Sequence, residues 1–249
     1  MPSIPCHNRV APVLLIGLVL SGILGGVPAG AGELKLSTVR IDLDDSRSNF
    51  ALTVTNVGAT DSLVQFRVMA WNQDGGQDNL TVAREMIANP PLVEIPSGAP
   101  QVVRIGFNGK KQQALEGCYR LLVEEVPKQD RERGQTIETY LKLSVPVFVA
   151  PLPGAPAAVP PTASIGPGAE GKPALLIHNP DPRHLRITGY RLVDGSDREG
   201  KHHTGLFYVL PGATMGLPLD AGDPGPATAR RAILDGDPLS PPLRISLGP

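Results

Sequence analysis

The sequence predicts an all-β protein built as two β-sandwich domains, and three observations carry that prediction. Apolar residues recur at every second position in short runs, the period of a half-buried strand. Gly and Pro are abundant, 28 and 27 among 249 residues, and they separate those runs at turn-like intervals. No sustained helical periodicity accompanies them, so the chain offers little from which to build long helices.

The first 31 residues stand apart. Arg9 supplies a positive start, Val10 to Leu24 an apolar run, and Ala29-Gly30-Ala31 a small-residue cleavage site, the pattern of a secretory signal peptide. The apolar run is shorter than the roughly 20 residues that span a bilayer. Cleavage after Ala31 is expected to leave a soluble exported chain. Cys6 leaves with the signal, so Cys118 is the single cysteine of the mature chain, no internal disulfide can form, and the fold must rest on its cores. Cys118 reads as a small buried apolar residue rather than a nucleophile. A formal net charge of −1, with no long run of either sign, gives no basis for binding nucleic acid or an anionic membrane.

The mature chain opens with two parities. Leu34 and Leu36 set one, while Val39, Ile41 and Leu43 set the other, so this strand is either bulged or passes from one sheet to its partner. Phe50 to Thr55 follows and ends at an Asn56-Val57-Gly58 turn. Val64, Phe66, Val68 and Ala70 then alternate with polar residues, and Asn72 to Asn79 reads as a polar loop around Gly75-Gly76. Leu92 to Ile95 and Val102 to Phe107 flank a Ser97-Gly98 turn, and Tyr119 to Val126 faces a long last strand across a charged loop. Seven short strands with regular turns describe an immunoglobulin-like sandwich, placed at residues 32–150.

A Pro/Ala-rich stretch, APLPGAPAAVPP, has the composition of a semi-rigid linker, placed at 151–163. Residues 164–249 are predicted to form a second, smaller β-sandwich. Its strands run near Ala174–His178, Leu185–Leu192, Leu206–Leu210, Met215–Leu219, Ala232–Leu234 and Leu243–Leu247, and no repeat relates it in sequence to the first domain.

The last strand of the first domain lies in QTIETYLKLSVPVFVAP, from Gln135. Ile137, Thr139, Leu141, Leu143, Val145 and Val147 occupy alternate positions and define one face. Pro146 donates nothing to a ladder, which places this strand at a sheet edge. Apolar edges are normally blunted with charge or bulges, and this one is hardly blunted. It is expected to remain available to another chain.

Catalytic signatures are absent from the sequence: there is no GxSxG, HExxH, Walker-type loop or paired-Cys metal pattern. No enzyme activity, catalytic residue, cofactor or metal is expected. His202 and His203 are adjacent, and neighbours on a strand point to opposite faces, which makes them a poor chelate.

Four patterns, in order, resemble the periplasmic pilus-assembly chaperones of the chaperone–usher pathway (PapD-like). They are TVRIDLDDSRSNFALTVTN from Thr38, PPLVEIPSGAPQVVRI from Pro90, YRLLVEEVP from Tyr119 with the strand ending SVPVFV, and HNPDPRHLRITGYRL from His178 with Leu210-Pro211-Gly212 after it. The VPVFV ending looks like the archaic branch associated with spore-coat-U-type proteins. The resemblance implies two immunoglobulin-like domains set at an angle, with the last strand of the first domain donated to an incomplete pilin subunit. By that resemblance Ile137, Thr139, Leu141, Leu143, Val145 and Val147 are the donor residues.

The same resemblance implies that the subunit's C-terminal carboxylate is anchored in the cleft between domains. Arg40 matches the family's first-strand arginine, but the usual last-strand lysine position is Pro146 here. Arg120 is then the substitute cation, expected opposite Ser144 or Pro146 in an antiparallel hairpin, and Arg104 is a third candidate. The implied partners are pilin or spore-coat-U-like subunits and an outer-membrane usher, in the periplasm; whether the free chain covers its apolar edge by self-association is left open by the sequence. The alternative function is a secreted structural or adhesive fibre subunit, which would carry a donor extension and an incomplete sandwich. A further rival is an exported metal-binding protein using the histidines.

Overall fold

The computed structural model describes residues 34–44, 46–108, 114–127, 140–152, 154, 158–168, 171–237 and 241–247. The signal-peptide reading therefore lies outside the described residues, as do Ile137 and Thr139. The described elements are β-strands.

The first domain comprises β1 (Leu34–Leu36), β2 (Ile41–Leu43), β3 (Asn49–Asn56), β4 (Ser62–Asp74), β5 (Gln77–Val82), β6 (Met86–Asn89), β7 (Leu92–Ile95), β8 (Pro100–Phe107), β9 (Gly117–Glu125) and β10 (Lys142–Val149). One sheet has the order β1-β3-β8-β6. The other runs β2-β10-β9-β4-β5, with β7 also paired to β4. Alternation supplies the core between them: Leu52, Val54, Val103 and Ile105 from the first sheet meet Phe66, Leu121, Val123, Val145 and Val147 from the second.

The parity flip at the start of the chain is a change of sheet. β1 pairs antiparallel with β3, whereas β2 pairs in parallel with β10. The crossing leaves Val39 largely in solvent.

Two elements differ from the expectation. The stretch read as a loop, Asn72 to Asn79, is the end of β4, a turn, and the start of β5, paired from Asp74↔Gln77 to Met69↔Val82. Gly75 and Gly76 have φ of 57° and 76°, and two consecutive positive angles in a two-residue hairpin loop are what glycine permits. Because β5 is exposed along its whole length, no buried alternation marks it in the sequence. The short β6 was likewise not expected. After it the chain passes through a cis Asn89–Pro90 peptide and joins the opposite sheet as β7.

The second domain comprises β11 (Thr162–Pro167), β12 (Pro173–His178), β13 (Leu185–Asp194), β14 (His203–Val209), β15 (Thr214–Pro218), β16 (Ala229–Asp237) and β17 (Leu243–Ser246). Its sheets run β11-β12-β15 and β14-β13-β16-β17. β11 has no counterpart in the sequence reading and begins inside the stretch assigned to the linker.

The two domains share a device that the sequence comparison misses. Asn56 and Asn179 are each 1% exposed. The Asn56 amide donates to the carbonyls of Thr60 (2.8 Å) and Ile95 (2.9 Å), and the Asn179 amide to those of Arg183 and Val209 (both 2.9 Å). Their backbones match as well. Gly98 N–H donates to Asn56 C=O at 2.8 Å, Gly212 N–H to Asn179 C=O at 2.7 Å, and both glycines have φ of 72°. One asparagine clamp thus closes the same corner of each sandwich.

Candidate functional site: the free edge of β10 and the cleft between domains

The direction of the N–H groups along β10 follows from its pairing with β9. Glu125 N–H donates to Leu141 C=O (3.0 Å), and Leu143↔Val123 and Val145↔Leu121 are opposed in register. Antiparallel alternation then turns the backbone groups of 141, 143, 145 and 147 toward β9, and those of 142, 144, 146 and 148 toward the other edge. Ala150 N–H donating to Leu43 C=O of β2 (2.8 Å) obeys the same alternation.

On that other edge β2 covers only Val147 to Val149. The expectation of an edge strand is therefore corrected for its last three residues. It holds for Lys142 to Pro146, which pair with no other described strand on that side. Pro146 sits where its missing N–H costs no ladder bond, one residue before β2 begins.

The six alternate residues divide into groups. Val147 is fully buried and Val145 is 3% exposed, both in the chain's own core. Withdrawing either to fill another protein would forfeit about 1.5–3 kcal/mol each, so these two positions belong to the domain itself. Leu143 is half-buried at the margin of that core, and Leu141 precedes the strand, also half-buried. The apolar row thus leaves the core and continues toward the undescribed residues that include Thr139 and Ile137.

The opposite face of this sheet meets the second domain. Tyr119, Leu121 and Val123 point inward, so Arg120 points out, and it lies opposite Pro146 in register. Arg40 comes immediately before β2, whose Ile41 pairs with Val147, so the same row carries Arg40, Pro146 and Arg120 on adjacent strands. The two guanidiniums flank Pro146. Both lean toward the joint: Arg40 Cζ lies 5.5 Å from the Phe148 ring centre, and Arg120 Cζ lies 3.6 Å from that of Trp71.

The electrostatic settings of the two cations differ. Arg40 pairs with Asp42 (3.0 Å) and, across the joint, with Asp237 (3.4 Å). Burial opposes its charge, but the hydrogen bond and charge of Asp42 outweigh it and raise its proton affinity. Burial dominates at Arg120 and lowers its pKa, with Asp78 at 3.9 Å offsetting part of the effect. Arg104 lies exposed on β8, in the opposite sheet, where it faces neither Arg40 nor Arg120.

Several residues of this region were not found from the sequence. Trp71 and Phe148 belong to first-domain strands but pack into the core of the second domain with Tyr208. The Gln73 amide donates to Tyr208 C=O (2.8 Å), and its carbonyl accepts from Leu210 N–H (2.9 Å). Glu116 accepts from His184 N–H (2.8 Å) and pairs with His184 Nδ1 (2.6 Å), while the imidazole stacks on Phe148 with centres 3.6 Å apart. A cleft of about 600 Å³ opens beside this joint, with Arg40, Phe148, His184 and Asp237 among its walls. Neither periodicity nor a motif signals such contacts, because their partners are far apart in sequence.

The remaining candidate chemistry is local. Burial pushes the Cys118 thiol pKa well above its ordinary value, which suits a packed rather than a reactive sulfur. His202 pairs with Asp235 (3.0 Å) and His203 with Asp223 (2.8 Å), so the adjacent histidines engage different carboxylates. Among the described residues, no cluster of three or more His, Cys, Asp or Glu could hold a metal ion.

Comparison with known proteins fits this geometry. Residues 33–153 match the family described as pili and flagellar-assembly chaperone, PapD N-terminal domain. The chain is 27% identical over 147 residues to the chaperone protein LpfB of Salmonella typhimurium, a match covering 58% of this chain and 60% of that relative's length. In the CsuC–CsuE chaperone–tip adhesion subunit pre-assembly complex, from the archaic chaperone–usher Csu pili of Acinetobacter baumannii, one chain superimposes with a TM-score of 0.65. It is 21% identical, over 87% of this chain and 98% of that one. A chain from the Salmonella enterica SafA pilin–SafB chaperone complex gives a TM-score of 0.56 at 17% identity, over 82% of this chain and 88% of that one. At these identities the structures show a shared fold, a pair of β-sandwich domains. The first domain, residues 33–153, is thus similar in sequence to the pili and flagellar-assembly chaperone family, and the matched curated relative is spanned over about 60% of its length.

Proposed function

We propose that this protein is a periplasmic chaperone that holds pilin or spore-coat-U-like subunits by strand addition and delivers them to an outer-membrane usher. The observation that carries the reading is the edge of β10. Among the described residues, Lys142 to Pro146 have no strand partner on one side, while the apolar row runs outward from the core through Leu143 and Leu141. A subunit lacking one strand would gain both a ladder and side chains for its open core, the general logic of β-augmentation.

The donor set is then Ile137, Thr139, Leu141 and Leu143, with Val145 and Val147 kept for the chaperone's own core. Burying Ile137, Leu141 and Leu143 would contribute on the order of 5–9 kcal/mol before ordering costs reclaim a large share. Arg40 and Arg120 together would offset the desolvation of a terminal carboxylate, with Pro146 as the apolar floor between them. In the free protein the same edge is open to a second copy. The function is binding and delivery rather than catalysis, and it calls for no cofactor.

Co-expression of the mature chain in the periplasm with a pilin-like subunit from a neighbouring locus tests this. Wild type is expected to yield a one-to-one complex, and Leu141→Glu to lose it with its thermal midpoint unchanged. Equal recovery with both chaperones would contradict strand addition and bring the fibre-subunit alternative forward.

A further inference from the structure

Tyr208 is the least explained group at the joint. It lies on β14 in the second domain and is 6% exposed. Its ring packs against Trp71 (centres 5.6 Å apart, edge-on) and against Phe148 and His184 (both 5.7 Å). Three aromatic rings in contact hold it in one place. Its hydroxyl, however, makes no hydrogen bond to a described residue. It is also not sealed away, since the buried polar atoms lacking a partner among the described residues are Trp71 Nε1, Arg191 Nε and Asp223 Oδ1. A ring this well packed, ending in a free hydroxyl that still reaches open space, is a positioned donor without an acceptor.

One cation lies beside it and the other over a neighbouring ring. Arg120 Cζ is 5.6 Å from the Tyr208 ring centre. Arg40 lies over Phe148, a ring that adjoins Tyr208. The row below is Arg40, Pro146, Arg120, and Pro146 has no N–H to offer an anion. Two guanidiniums and one hydroxyl therefore bracket an apolar floor.

We propose that the Tyr208 hydroxyl is a third ligand for a carboxylate, donating a hydrogen bond between the guanidiniums of Arg40 and Arg120, so that the second domain completes the anchor. This rests on the anchoring role proposed above for the two arginines and adds a residue from the other domain. A carboxylate has about four lone-pair sites, so two arginines leave room for a phenolic donor, and O–H to O⁻ bonds are among the stronger ones. The arrangement selects a charged terminus over an amide. It also makes anchoring depend on how the two domains are joined.

The test uses the mature protein labelled at arginine and tyrosine, titrated with N-acetylglycine and, separately, with N-acetylglycinamide. N-acetylglycine is expected to shift the Arg40 and Arg120 Nε signals and the Tyr208 ring signals together, with the amide inert. Tyr208→Phe, which keeps the ring packing, is expected to weaken carboxylate binding about tenfold, the effect of one hydrogen bond to a charged group. Equal affinity of wild type and Tyr208→Phe, an equal response to the amide, or no response to the carboxylate would each overturn the proposal. Strand addition is read separately, by recovery of the one-to-one complex with a pilin-like subunit, so a failure of strand addition and a failure of the Tyr208 anchor give different results.

Discussion

Asn56 and Asn179 show how much of each domain hangs on one side chain. Each holds one buried carbonyl, that of Ile95 or Val209, and one part-buried carbonyl, that of Thr60 or Arg183, and leaving the buried one unsatisfied costs about 1–3 kcal/mol. Asn56→Ala and Asn179→Ala are each expected to lower stability by that amount in denaturant melts. The cleft residues work at a different magnitude. The ion pairs of Arg40 with Asp42 and Asp237 involve carboxylates more than half exposed, and such pairs contribute about 0–1 kcal/mol. An incoming carboxylate can therefore displace them. Asp237→Asn is expected to tighten N-acetylglycine binding several-fold, and a weaker or unchanged affinity would show that Asp237 does not compete for Arg40. The outward aim of Arg120 was legible from the parity of Tyr119, Leu121 and Val123. Tyr208, Gln73 and Glu116 were not, since their roles arise from contacts across the joint; Gln73 and Leu210, for example, are 137 positions apart.

At the scale of strands, alternation was a sound guide wherever one face is buried. β3, β8 and β9 lie close to their expected places because their inward residues enter the core. β5 escaped because both its faces meet solvent, and its hairpin is marked only by two glycines that also suit a loop. The extent of the free edge on β10 was legible only in part. Pro146 argued against pairing on both sides, yet the sequence did not show that β2 takes up pairing one residue later. Above that edge, Glu124 of β9 bridges Arg67 of β4 and Lys142 of β10, the latter at 2.7 Å. Hydrogen bonds from Lys142 and Arg67 hold its carboxyl below the ordinary range. A depressed carboxyl contributes stability above its unfolded value of about 4.3 and loses it as pH falls through the lower folded value. Glu124→Gln is therefore expected to cost less than about 1 kcal/mol near neutral pH, with the difference from wild type vanishing in acid. A deficit that persists at low pH would assign the effect to packing instead.

At the scale of the molecule, the two sandwiches are joined by shared aromatic packing as well as by chain. Phe148 is buried in the second domain's core although its strand belongs to the first. Phe148→Ala is expected to cost about 3–5 kcal/mol and to split thermal unfolding into two calorimetric transitions. A single transition would show that the polar joint of Gln73, Glu116 and His184 suffices to couple the domains. The central claim is that another chain adds to β10 at its free edge, and amide exchange on the purified complex with a pilin-like subunit tests it most directly. The N–H groups of Lys142 and Ser144 point to the unpaired side, whereas those of Leu143 and Val145 already face β9. Strand addition is expected to slow exchange at Lys142 and Ser144 and to leave Leu143 and Val145 nearly as protected as before. A stable complex in which Lys142 and Ser144 exchange as fast as in the free protein would contradict the account.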